Sequence, residues 1–155
     1  METIITQQGS FFAYYTKKGL ARLTFPGRQT DRILDEIKPS SKWHIKACVT
    51  VNAILNGTES SESPPLDLSA GTHFQQQLWR MLLRIPVGEW LSYGELAGKL
   101  RRPKAARAIG KACGANPIPV IIPCHRVLAS GGGLGGFSGG LNWKRKLLRL
   151  EGHDF

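Results

Sequence analysis

Ser92-Tyr93-Gly94-Glu95-Leu96-Ala97-Gly98-Lys99-Leu100-Arg101-Arg102-Pro103-Lys104-Ala105-Ala106-Arg107-Ala108-Ile109-Gly110-Lys111-Ala112-Cys113-Gly114 reads as two short helices joined by a tight basic turn. Ser92 and Glu95 make a capping box, in which each side chain accepts from a backbone N–H that the first helical turn would leave unpaired. Tyr93, Leu96, Ala97 and Leu100 then share one face. Arg101-Arg102-Pro103 ends that helix, and a second is expected from Lys104 to Cys113, stopped at Gly114. The pair is a helix-turn-helix candidate. Its second helix is smooth, built from Ala105, Ala106, Ala108, Gly110 and Ala112, with Arg107 and Lys111 standing out. Such a surface allows close approach to its own protein or to a DNA groove, and both readings stay open here.

Upstream, Thr72 and Gln75 make a second capping box. Phe74, Leu78, Met81, Leu82 and Ile85 recur at helical spacing until Pro86-Val87-Gly88 stops the pattern. Before that, the polar run Thr58 to Pro65 can be neither helix nor central strand. A domain boundary is therefore expected near Ser69 to Gly71, dividing the chain into 1–70 and 71–155. In the first part, Phe11 to Thr16 and Leu20 to Phe25 flank Lys17-Lys18-Gly19 and predict a β-hairpin. A short helix is expected over Asp31 to Lys38, and a longer one over Ser41 to Asn56, ended by Gly57 and carrying Cys48 as a buried residue. The fold class expected is α+β, a small sheet-and-helix domain followed by a mainly helical one.

Downstream lies Asn116-Pro117-Ile118-Pro119-Val120-Ile121-Ile122-Pro123-Cys124-His125-Arg126-Val127, where a β-branched run ends in a thiol, an imidazole and a guanidinium. The two early prolines exclude a central strand and predict a rigid, extended entry. Regular strand would send Cys124 and His125 to opposite faces, so their cooperation needs a turn at Pro123 or a relaying water, and the turn is expected. A thiol becomes nucleophilic as the thiolate, which a histidine and a cation within reach favour. The glycine run from Ser130 to Gly140 formally holds a GxGxxG, but no strand follows to complete a dinucleotide site. It reads instead as a loop whose backbone N–H groups can approach a ligand. Asn142 is expected to cap a last helix, Trp143 to Leu150, with Lys144, Arg145, Lys146 and Arg149 facing outward. Glu151 at its end opposes the helix dipole and so calls for a partner, for which His125 is the candidate.

The net charge is +10 over 155 residues, and it is uneven. From Thr72 onward there are 13 Lys or Arg against 4 Asp or Glu, whereas residues 1–71 carry 8 against 7. The basic half suits a polyanion such as nucleic acid. No apolar run is long enough to span a membrane, and the N-terminus has no export signal, so a cytoplasmic location is expected, or a nuclear one in a eukaryote. The three cysteines, Cys48, Cys113 and Cys124, are then expected as free thiols. With His44, His73, His125 and His153 they match no common zinc spacing. A cysteine protease would also use Cys, His and Asn or Glu, but it accounts for neither the basic half nor the smooth helix.

Ile121-Ile122-Pro123-Cys124-His125-Arg126-Val127 resembles the active-site signature of the O6-alkylguanine-DNA alkyltransferases, the methylated-DNA-protein-cysteine methyltransferases. The resemblance runs from about Thr72 to Gly152. It includes Ile85-Pro86-Val87-Gly88, Ser92-Tyr93, Lys104 to Gly110, Asn116-Pro117, Phe137-Ser138-Gly139-Gly140 and Glu151-Gly152. It implies that a ribonuclease-H-like domain comes first. It also implies irreversible transfer of an alkyl group from O6 of guanine to Cys124, once per molecule, and leaves activity on O4 of thymine open. His125 would take the thiol proton through a water, Glu151 would orient His125, Tyr93 would serve the departing base at N3, and Asn116 would hold the turn. On duplex DNA the resemblance implies minor-groove binding with base flipping: Arg107 would fill the vacated stack, and Lys104, Ala105 and Ala106 would lie against the groove. The Cys124 and Val127 carbonyls and the Ser138 N–H would contact the base, with Pro119, Phe137 and Gly139 lining its pocket. No cofactor, no metal and a monomer in solution are expected. Phe137 departs from the Tyr of many relatives, which removes a hydroxyl from the wall. The competing reading is a non-catalytic helix-turn-helix module that binds damaged DNA or regulates.

Overall fold

Alternation of Phe11, Ala13 and Tyr15 inward along one strand, and a glycine able to turn the chain back, produce the hairpin at the start of the molecule. The computed structural model describes residues 1–137 and 139–155. In it β2 (Gly9–Thr16) and β3 (Gly19–Thr24) pair antiparallel around Lys17 and Lys18, and β1 (Glu2–Thr6), which the sequence pattern did not signal, adds to the other side of β2. The order is β1-β2-β3. Helix α1 (Ser41–Leu55) follows, with the Ser40 hydroxyl accepting from the Trp43 N–H as its cap. Cys48 lies on α1 but is only half-buried, its Sγ 3.6 Å from His44 Nε2.

Residues 31–38 do not form the expected helix. Asp35 takes φ 58°, outside helical space, and the Ile37 N–H donates to the Tyr15 carbonyl at 2.8 Å. A helix this short gains few internal hydrogen bonds for its nucleation, and the sheet edge offers Ile37 a ready acceptor. Pro39 further biases Lys38 away from helix.

The second half matches its punctuation closely. α2 (His73–Leu82) and α3 (Tyr93–Lys99) both carry complete capping boxes, at Thr72/Gln75 and Ser92/Glu95. α4 runs Ala106–Gly114, starting two residues later than expected, because the Ala105 N–H bonds Arg102 O at 2.9 Å and keeps that stretch a turn. Trp79 Nε1 donates to the Ala112 carbonyl at 2.9 Å and locks α2 onto α4. The last helix, α5 (Leu141–Leu150), is preceded by Gly140 at φ 93° as its N-cap, so Asn142 is inside the helix and does not cap it. No helix among the described residues is long and apolar enough to cross a membrane.

Two further strands are only two residues each: β4 (Leu91–Ser92) and β5 (Val127–Leu128), paired parallel with Leu91 opposite Val127. This short pairing sets the start of α3, and therefore Tyr93, beside the Cys124 turn. Apolar residues from before and after residue 70 join one buried cluster. Trp143 of α5 lies 5.6 Å from Phe11 and 4.8 Å from Phe25, ring centre to ring centre, and the Leu23 N–H donates to Pro117 O at 2.9 Å.

Gly57, just past α1, sits at φ 72°, and a Cβ there would collide with the Leu150 carbonyl. The first helix is thereby seated against the residue that precedes Glu151. Gly57→Ala is expected to lower unfolding free energy by about 1–3 kcal/mol, the usual cost of a strained backbone position, in denaturant titration.

Candidate active site

The entry to the site is folded rather than extended. The Ile122 N–H bonds Ile118 O at 2.9 Å, and Val120 is held at φ 74°, a region that β-branched residues avoid. Asn116 closes this loop. Its Oδ1 accepts from the Ile118 N–H (2.9 Å), while its Nδ2 donates to Ile122 O (2.8 Å) and to Cys124 Sγ (3.1 Å). Asn116 is buried, and it joins the Ile118 N–H and the Cys124 sulfur to the Ile122 carbonyl, which also accepts from the Cys124 N–H at 2.8 Å, so the side chain specifies the loop as well as filling it. Beyond Pro123 the chain enters a 3-10 turn, Cys124–Arg126, as the turn expected at Pro123 requires.

That turn sends its side chains to different tasks. His125 is fully buried, and its Nε2 lies 2.8 Å from Glu151 Oε1. Arg126 grips the same carboxylate through Nε (2.9 Å to Oε2) and Nη2 (2.7 Å to Oε1), and its Nη1 donates to the Ile85 carbonyl at 2.6 Å. The guanidinium therefore serves Glu151 and the turn that follows α2, and not the thiol beside it in sequence. Burial alone would raise the Glu151 carboxyl, but hydrogen bonds and charge from His125 and Arg126 outweigh it and hold it at about 2. Burial pushes the His125 imidazole below its ordinary value, against the pull of Glu151, so the ring is neutral near pH 7. With an ionised carboxylate facing it, Nε2 is the N–H donor and Nδ1 carries the lone pair. Nδ1 is buried and has no hydrogen-bond partner in the protein.

Cys124 itself is 2% exposed. Burial pushes its thiol up to about 11, despite the Asn116 hydrogen bond and the charge of Lys144, which both lower it. The sulfur is thus stored as a thiol. It opens on a cleft of about 720 Å³ whose wall includes Tyr93, Arg107, Cys113, Ser130, Gly136 and Phe137. Burial raises the Tyr93 phenol to about 12, with smaller contributions from Cys113 and Cys124, so it is a proton donor throughout the neutral range. A larger hollow, about 1000 Å³, lies between Lys17-Lys18 and residues 30–37, but no Cys, His or Tyr lines it.

The structure brings Cys124, His125, Glu151, Asn116 and Tyr93 together. Ala106, Arg107 and Phe137 are on the cleft wall, while Ala105 and Lys104 precede α4 and are not. Pro119 is buried in the loop, and Gly139 is buried behind Phe137 against Phe25; neither reaches the wall. The Val127 carbonyl accepts from Lys144 Nζ at 2.7 Å. Ser138 lies outside the described residues. Lys144 corrects the sequence reading: it is fully buried, not outward with Arg145, Lys146 and Arg149. Its spacing to Leu147 and Leu148, i to i+3 and i+4, was the signal that puts it on the inner face. Cys113, on the smooth helix, also lines the cleft, with its thiol raised by burial to about 12. Among the described residues no three of His, Cys, Asp and Glu gather as a metal site would need, and the cysteines are free.

Fold and site together define a helix-turn-helix scaffold built around one buried, partnered cysteine. The family model for the DNA binding domain of 6-O-methylguanine DNA methyltransferase matches residues 73–153. The methylated-DNA–protein-cysteine methyltransferase of Salmonella typhimurium is 51% identical over 142 residues, covering 90% of this chain and 72% of the relative. That of Mycobacterium tuberculosis is 52% identical over 101 residues, which is 65% of this chain but only 61% of the relative's own length. The crystal structure of Mycobacterium tuberculosis OGT in complex with DNA superposes with TM-score 0.81 at 42% identity, over 96% of this chain and 90% of that one. The chain belongs to the 6-O-methylguanine DNA methyltransferase family.

The Glu151 carboxyl is depressed well below the unfolded value of about 4.3, so the stability it contributes is present above that value and lost as pH falls toward 2. His125, also depressed, acts in the same direction, since below about 6.5 the unfolded chain binds the proton more readily. Between about pH 5 and 2 the wild type is expected to lose stability more steeply than Glu151→Gln, read as unfolding midpoint against pH; parallel curves would contradict the assignment.

Proposed function

We propose that this protein repairs DNA by moving an alkyl group from O6 of guanine to Sγ of Cys124, once per molecule. The observation that carries the reading is the buried Cys124 beside a neutral His125, whose Nε2 is engaged by Glu151 and whose Nδ1 is left without a protein partner. A group held this way can receive a proton, and the thiol is the neighbour that must lose one.

In the proposed step the Cys124 proton passes through a water to His125 Nδ1, and Glu151 stabilises the cation formed. The sulfur electron pair then makes the new S–C bond as the C–O bond to guanine breaks. Tyr93 donates to N3 of the departing base, so the base leaves bearing a proton in place of its alkyl group. The thioether product offers no leaving group to water, which makes the acceptor single-use. Because the lesion lies inside a duplex, the nucleotide has to be extruded to reach a buried sulfur. Arg107, exposed on α4 at the cleft mouth, is suited to the vacated stack, and the small residues of α4 to close approach in the minor groove. Lys104 and Ala105, just before α4, belong to the same DNA-facing turn. Phe137, on the cleft wall, offers a stacking surface for the extruded base.

The first 70 residues are proposed as a ribonuclease-H-like domain of three antiparallel strands and α1, with 71–155 as the reactive domain. The protein is proposed to act as a monomer in a reducing, cytoplasmic setting that keeps the acceptor a thiol. Incubation with a duplex holding methyl-labelled O6-methylguanine is expected to add one methyl group to the Cys124 peptide, by mass, and none in Cys124→Ser. Binding without any mass gain would favour a non-catalytic DNA-binding module instead.

A further inference from the structure

Lys144 is the buried charge that the proposed step does not use. It has no exposed surface, and it is carried on the first half of α5. Its Nζ donates to Val127 O at 2.7 Å and to Gly136 O at 3.1 Å. Val127 follows the Cys124–Arg126 turn, and Gly136 is part of the glycine-rich wall of the same cleft. Two neutral carbonyls are weak compensation for burying an ammonium. Carbonyls could be satisfied by an uncharged donor, so the position calls for an anion that the resting protein does not display.

We propose that Lys144 is the positioning cation of the site: tied to Val127 and Gly136, it holds the glycine loop against the Cys124 turn and supplies the counter-charge when Cys124 becomes a thiolate. This role is the one that sequence adjacency suggested for Arg126, whose guanidinium is committed to Glu151 and Ile85. The groups that feel Lys144 are Cys124, Cys113 and His125. Its charge lowers both thiols, and on the imidazole it is the smallest of the influences, opposed there by Glu151. Burial pulls Lys144 itself below its ordinary value, and the two thiols pull it back as they ionise. The proposal rests on Cys124 being the working nucleophile, as proposed above.

The test reads the thiol directly, without DNA. The rate of iodoacetamide alkylation at Cys124, followed by peptide mass against pH, gives the thiol ionisation in wild type, Lys144→Met and Lys144→Gln; the Gln amide keeps donors for the carbonyls without the charge. Both variants are expected to react at least about tenfold more slowly at a pH below the wild-type midpoint, equivalent to one pH unit or more in the midpoint. An unshifted profile in Lys144→Gln, even with slower methyl transfer from DNA, would overturn the counter-charge role and leave a loop tie only. If the variants do not fold, the wild type still decides: the Lys144 Cε resonance is expected to report a charged ammonium at neutral pH and to step as Cys124 ionises. A neutral Lys144 at pH 7, or no step, would refute the proposal. A wild type that shows the step but takes no methyl from DNA would sink the repair reading and support only the charge pairing of Lys144 with Cys124.

Discussion

The carboxylate of Glu151 is the fixed point of the molecule. It sits buried at the C-terminal end of α5, where the helix dipole disfavours a negative charge, and it is held there by two donors of Arg126 and by His125 Nε2. Buried charges of this kind rarely add stability beyond what apolar residues would supply, but removing one partner strands the others. The cluster therefore acts as a specifier. Through Arg126 it draws in the carbonyl of Ile85 after α2, through His125 it sets the turn that bears Cys124, and through its own backbone it terminates α5.

The resting thiol is protonated because burial outweighs the help of Asn116 and Lys144. A stored thiolate would react with any small electrophile, and in the proposed single-use reaction such a loss could not be reversed. Here the charge has to be made at the moment of reaction. A neutral imidazole with a free Nδ1, backed by a carboxylate that is ionised at every physiological pH, is suited to making it only when a substrate draws the sulfur forward.

The sequence was most informative where local chemistry decides local structure. Both capping boxes, the hairpin at Lys17-Lys18-Gly19 and the turn at Pro123 depend on side chains a few residues apart, and all are present. Elements decided by distant partners were not legible. β4 and β5 are two residues each and exist only because Leu91 and Val127 meet. Residues 31–38 gave up a helix for one bond to Tyr15, and Val120 is bent to a conformation its side chain resists because Asn116 ties the loop on both sides. In the site, the pairing of His125 with Glu151 was anticipated from the misfit of an acid at a helix C-terminus. The destinations of Arg126 and Lys144 were not, since adjacency in sequence says little about direction in a 3-10 turn, and a run of basic residues hides the one that faces inward.

Glu151 is held to fix His125 as a neutral ring with its acceptor nitrogen unprotonated, as the proposed proton transfer requires. Long-range 15N–1H NMR correlation of the histidine rings tests it most directly. The expected result at pH 7 is a His125 ring protonated at Nε2 alone, with Nδ1 showing the shift of an unprotonated nitrogen. A ring protonated at Nδ1, or an imidazolium at that pH, would contradict the account.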